Sequence, residues 1–110
     1  MTYYILDADG EPREATRWEW AHWFEANPSA RVVGRTDISG DGQVSTVFLS
    51  VDHQWLPSGP PLLYETMIFG GRWDQYQWRW STRAEAVAGH ARIVAALRAC
   101  RSPEDEQVAR

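Results

Sequence analysis

Two periods of apolar and polar residues run along the chain. Over residues 14–26, Trp20, Trp23 and Phe24 recur at i, i+3, i+4 spacing, which predicts a helix with one apolar face. Trp18 points to the opposite side and is expected to be exposed or at a contact. A short strand at 3–6 precedes this helix and ends in the turn Asp7-Ala8-Asp9-Gly10. Asn27-Pro28 stops the helix. From there the period changes to two, with strands predicted at 30–37, 44–52, 62–69 and 73–80. In the second of these, Val44, Thr46 and Phe48 share one face, and Val47, Leu49 and Val51 the other. In the last, Tyr76, Trp78 and Trp80 alternate with Gln75, Gln77 and Arg79, which implies one wet face.

Turn chemistry separates these segments. Ser39-Gly40-Asp41-Gly42 reads as a hairpin turn, 53–61 as a proline-rich loop, and Gly70-Gly71 as a tight turn. Thr82 and Glu85 form a capping box that starts a helix running to about residue 99. Its apolar stripe is Ala86, Val87, Ile93, Val94 and Leu97, with His90 inside the stripe and Gly89 beside it. Glycine inside a helix costs up to about 1 kcal/mol relative to alanine. Its presence here implies close approach of the helix to the sheet. The polar stretch 101–110 reads as a frayed tail. The order β-α-β-β-β-β-α predicts a single α+β domain over residues 1–100. It is a two-layer sandwich, with an antiparallel sheet of four to five strands and two helices on one face.

The segment 62–71, Leu-Leu-Tyr-Glu-Thr-Met-Ile-Phe-Gly-Gly, is apolar on both parities and is expected to be the central strand, covered on both faces. Glu65 lies in its middle, and a carboxylate there must be paired or neutral.

Composition narrows the function classes. The 110 residues carry a net charge of −4, which argues against a nucleic-acid-binding surface. The lone Cys100 allows no intramolecular disulfide and, with three histidines, no cysteine-rich zinc pattern; it reads as incidental. The first residues carry no signal-peptide pattern, and no stretch has transmembrane length, so a cytoplasmic protein with no membrane partner is expected. Seven tryptophans exceed what one small core needs, and surplus surface aromatics mark binding. Trp18, Trp55, Trp73, Trp78 and Trp80 are the candidates, with the exposed side of the sheet expected to carry them. A base-stacking platform fits poorly, because the chain is acidic and its eleven basic residues are scattered arginines. The remaining readings are a protein-binding surface, or a second small core under the 53–61 loop.

Three residues could serve acid–base chemistry. Glu65, His53 and His90 would make a general acid–base pair or a weak metal site if they converged. Otherwise His90 is a core histidine bonded to Glu65 or to a backbone carbonyl. Asp37-x-Ser39-x-Asp41-Gly42 resembles the opening of a calcium loop, but Phe48 stands where the bidentate glutamate belongs, so a hairpin turn is favoured. No nucleophile motif is present, no phosphate-loop lysine follows Gly70-Gly71, and no metal or cofactor is expected.

The runs Ser45-Thr46-Val47-Phe48-Leu49, Asp52-His53, Glu65-Thr66-Met67-Ile68-Phe69-Gly70-Gly71 and Gly89-His90 resemble a family of small uncharacterised bacteriophage and prophage proteins, over residues 3–97. The resemblance implies a phage setting, and its recurring positions match Asp52, His53, Glu65, Thr66, Gly70, Gly71 and His90. It implies no activity. The expected function is non-enzymatic interaction with a host or phage protein, including occlusion of a defence protein, by a monomer or small homo-oligomer. The alternatives are a ligand-binding or hydrolytic domain using Glu65, His53 and His90, with Glu65 as base, and a self-associating virion part.

Overall fold

The computed structural model of the chain describes residues 1–52 and 59–106. Strands β1 (Tyr3–Leu6) and β2 (Pro12–Ala15) form an antiparallel hairpin, followed by helix α1 (Arg17–Ala26). After a 3-10 turn at Ser29–Arg31 come β3 (Val32–Ile38), β4 (Gly42–Phe48), β5 (Tyr64–Phe69) and β6 (Gln77–Trp80). These four form an antiparallel sheet in sequential order, and α2 (Arg83–Arg98) follows. The class is α+β, as the periodicity predicts.

The main correction is at the N-terminus. Residues 12–15 pair with β1, and α1 begins at Arg17, three residues later than the apolar spacing suggests. Thr16 caps it: its hydroxyl accepts from Glu19 N–H while the Glu19 carboxylate accepts from Thr16 N–H. The pattern Thr16-x-x-Glu19 is the same capping box as Thr82-x-x-Glu85, so the true start was legible. The last strand is also shorter than 73–80, because residues 71–75 turn the chain and only Gln77–Trp80 enter the sheet. At the other end, Pro103–Glu106 forms a 3-10 turn with Pro103 fully buried, so the start of the tail is docked rather than frayed.

Strand register sets the layers. Thr46 pairs with Thr66, Phe48 with Tyr64, and Tyr64 with Trp80, so these residues point to one face. There they join Val44, Ile68, Trp78 and the α2 residues Ala86, Ile93 and Leu97 in one buried core. The opposite face carries Arg35, Gln43, Glu65, Gln77 and Arg79. It is not covered as 62–71 predicts; Phe69 there is half exposed. Nor does it carry the surplus tryptophans, since Trp78 and Trp80 turn inward. Helix α1 lies over the first strand: Trp20 stacks on Tyr3, and Trp23 meets Phe48 edge-on.

Two places need glycine. At Gly42 and Gly71, both with positive φ, a Cβ would lie 2.3 Å from the Gly70 carbonyl oxygen and 2.4 Å from the Asp41 carbonyl carbon, respectively. The two turns at this end of the sheet thus touch backbone to backbone. At Gly89 a Cβ would stand 2.3 Å from the Trp80 ring, which is the close helix–sheet approach that its place in the helix implies.

Candidate functional site

His90 projects from α2 toward the sheet, over β3 and β4. Its Nδ1 lies 2.7 Å from the Thr46 hydroxyl and its Nε2 lies 2.9 Å from the Thr36 hydroxyl. Thr46 is 2.6 Å from the Thr66 hydroxyl, and Trp80 Nε1–H donates to that same oxygen at 3.0 Å. One arrangement gives each proton a place. Trp80 donates to Thr66, Thr66 to Thr46, Thr46 to Nδ1, and Nε2–H to Thr36. A polar relay therefore crosses the core between strand and helix. It uses Thr36, Thr46, Thr66, His90 and Trp80.

Desolvation by burial holds the His90 pKa below that of a free histidine. The neutral ring suits the relay, because protonation would turn Nδ1 into a donor facing Thr46. The sign follows directly. Above about pH 6.5 the ring is neutral in both folded and unfolded chains, and stability is at its full value. As pH falls below that, the unfolded chain takes the proton first, so stability declines until the folded-state pKa is passed. Urea unfolding from pH 7.5 downward should show this loss for the native chain relative to His90→Gln, in which the residue does not titrate. Equal slopes for both would remove His90 from the acid response.

Glu65 is elsewhere. It faces the opposite side of the sheet and pairs with Arg79 across β5 and β6, Arg79 Nε to Glu65 Oε2, at 3.1 Å. This answers the question its sequence position raises: the carboxylate is paired, and with an arginine. Glu65 and His90 do not converge, because adjacent residues in β5 point to opposite faces and Thr66 is the one aimed at the helix. Among the described residues His90 is bonded to threonines, neither to Glu65 nor to a backbone carbonyl. The acid–base alternative built on Glu65, His90 and His53 therefore loses its central pair. His53 and Trp55 lie outside the described residues.

The tryptophans also divide. Trp78 and Trp80 are 5% and 0% exposed, so they are core residues, not a binding surface. Alternation predicted that they share a face, but not that the helix covers it. Trp73 is half-buried at the core's edge, edge-on to Tyr76. Trp18 alone of the described candidates stands free, at 82% exposure. The Asp37 to Asp41 run is a strand turn: Asp37 accepts from the Gln43 side chain, and Asp41 from Arg72 N–H. Among the described residues no group of three or more histidine, cysteine or carboxylate side chains is placed to hold a metal. No helix among them is long and apolar enough to cross a membrane.

Comparison of the chain with protein-family models, curated proteins and solved structures finds no significant match.

Thr66 and His90 carry the relay, Glu65 makes the cross-strand ion pair, and Gly71 permits the turn-to-turn contact. Asp52 accepts from Leu62 N–H at 3.3 Å. The relay threonines were missed at the level of sequence. The available signal was two threonines, Thr46 and Thr66, at core parity in apolar strands, opposite a histidine in an apolar helical stripe.

A second surface feature is electrostatic. Residues 1–30 hold six carboxylates and two arginines, while the remaining residues hold nine of each. The entire net charge of −4 thus falls on β1, β2, α1 and the turns joining them. Helix α1 buries none of its residues fully. On its outer side Trp18, Ala21, His22 and Glu25 follow at helical spacing, all exposed.

Proposed function

We propose that this chain is a small non-enzymatic interaction protein that docks a basic surface of a partner protein against α1. The observation that carries the reading is Trp18, 82% exposed on a helix with no fully buried residue, within the segment that bears all the net negative charge. A free indole is a large rigid anchor with a face that attracts cations, and tryptophan is among the residues that dominate interface energies. The same helix already holds one guanidinium on an aromatic face: Arg31 sits 3.8 Å from the centre of the Phe24 ring. The phage resemblance suggests a host protein as the partner, occluded by binding.

The test is a pulldown of the tagged chain from bacterial lysate, with the captured protein identified and then purified for titration. Trp18→Ala should weaken binding by about 30-fold, ~2 kcal/mol, the loss expected at an interface anchor. Glu65→Gln, on the far face of the sheet, should bind as the native chain does. Added salt should weaken binding to the native chain, since the acidic segment steers the partner. Binding unchanged by Trp18→Ala, or a native chain that captures nothing and stays monomeric, would overturn the reading.

A further inference from the structure

Strand β3 is an edge of the main sheet, with β4 on one side and, among the described residues, no strand on the other. An open edge is a template for another strand. Hydrogen bonds show which of its residues face outward. Ile38 C=O accepts from Asp41 N–H in the β3–β4 turn, so Ile38 turns its backbone groups toward β4. Backbone groups alternate along a strand. Those of Thr36 and Gly34 therefore also face β4, and those of Arg35 and Asp37 face the free edge. The ladder agrees. Leu49 N–H bonds to Leu63 C=O, so the odd-numbered residues of β4 turn to β5 and leave Val44 and Thr46 for Thr36 and Gly34.

The side chains of Arg35 and Asp37 share the open face of the sheet, and both residues are exposed. Among the described residues Arg35 makes no ion pair. The Asp37 carboxylate accepts from the Gln43 amide at 2.9 Å, which holds it on this face, and a carboxylate has room for a further donor. These charges suit a second β3. When two copies pair antiparallel about a twofold axis at Thr36, Arg35 of each stands directly opposite Asp37 of the other. Those are the positions that exchange both backbone hydrogen bonds. An axis at Arg35 or at Asp37 would instead set like charges opposite each other, which destabilises a strand pair.

An independent feature lies at the same level on the covered face. His90 reaches from α2 to Thr36, while its neighbour Gly89 lies against Trp80 of β6. The side of the helix beyond His90 therefore turns toward the β3 edge. Val87, Ala91 and Val94 occupy that side at i, i+4, i+7 spacing. Val87 is 49% exposed and Ala91 is exposed too. Pairing of two β3 strands brings the two α2 helices side by side and antiparallel. Ala91 then lies near the axis, with Val87 of each copy against Val94 of the other. Alanine at the centre allows the short end of the roughly 8–10 Å range of helix packing distances. The charged strand edge and the apolar helix stripe thus fit one and the same axis.

We propose that this chain forms a twofold homodimer by pairing β3 with β3 of a second copy, which packs α2 on α2. The contact leaves α1 free, so it stands or falls separately from the docking proposed there. The test is sedimentation equilibrium of the full chain over a range of concentrations. A monomer–dimer equilibrium is expected. Arg35→Asp, and separately Asp37→Arg, set like charges opposite each other twice in the dimer, and each should weaken it at least about tenfold. The double exchange, Arg35→Asp with Asp37→Arg, should restore it to within about threefold of the native chain. Ala91→Glu buries a charge between the helices and should also weaken the dimer at least about tenfold. All three positions are exposed, so the monomer fold should persist, and unchanged far-UV circular dichroism checks this. A native chain that stays monomeric at millimolar concentration overturns the proposal. So does a double exchange no better than the single ones, or a dimer indifferent to Ala91→Glu.

Discussion

Gly89→Ala should destabilise the protein by about 2 kcal/mol or more, although helix propensity alone says the opposite. Replacing a glycine inside a helix by alanine ordinarily stabilises it by up to ~1 kcal/mol. Here the new methyl would stand 2.3 Å from one carbon of the Trp80 indole and 2.4 Å from the next. Trp80 is fully buried, is held by its N–H to Thr66, and sits between β5 and α2, so the ring has nowhere to move. The helix must lift from the sheet instead, opening contacts along Ala86, Ile93 and Leu97. Overpacking of this kind costs roughly 1–3 kcal/mol and occasionally more, which outweighs the propensity gain. In a domain of this size the expected fall in Tm is roughly 10 °C. Thermal and urea unfolding of the variant give the sign. A rise in Tm would mean that the helix does not approach the sheet as closely as the structure has it.

Thr66→Val should cost ~1–3 kcal/mol with almost no change in volume. Valine keeps the shape and the strand preference, and removes one oxygen. That oxygen is the meeting point of the relay: it accepts from Trp80 Nε1–H and lies 2.6 Å from the Thr46 hydroxyl. Both partners are fully buried, so no water replaces it without rearrangement. A buried polar group left without a partner costs about 1–3 kcal/mol; here the Trp80 N–H is left so, while the Thr46 hydroxyl keeps its bond to His90 Nδ1. Thr66→Ser keeps the oxygen and should lose much less. The cycle with Trp80→Phe separates the polar term from packing. Once the indole N–H is absent, Thr66→Val should cost at least about 1 kcal/mol less than it does in the native chain. Additive losses would mean that the N–H to hydroxyl bond carries no stability.

Much of this fold is legible without coordinates, for local reasons. Residues 83–98 are helical because a capping box opens the segment and a single apolar stripe runs through it. The turn at 39–41 follows from its Gly and Asp residues, and the exposure of Trp18 from its place opposite Trp20, Trp23 and Phe24. Even the close approach at Gly89 is implied by a glycine in a helix that otherwise favours alanine. The strand at 12–15 is different. Four residues beginning with proline have little strand preference of their own, and they are extended because β1 lies beside them.

The candidate site was less legible, and its residues show why. Alternation along 64–69 says that Glu65 and Thr66 face opposite ways; it does not say which way α2 lies. With the helix on the Thr66 side, Glu65 becomes a surface partner for Arg79 and Thr66 a core oxygen for Trp80. The same choice moves Trp78 and Trp80 from a supposed binding surface into the core, while Trp18 stays exposed. The sequence by itself determined the helices, the hairpin turns, the two-faced strands and the α+β class, because periods, caps and turns act over a few residues. Only the tertiary structure decided which face of the sheet is covered, which threonines His90 meets and where the charged residues gather. Those outcomes depend on pairings between residues 20 to 54 positions apart, which no local pattern specifies.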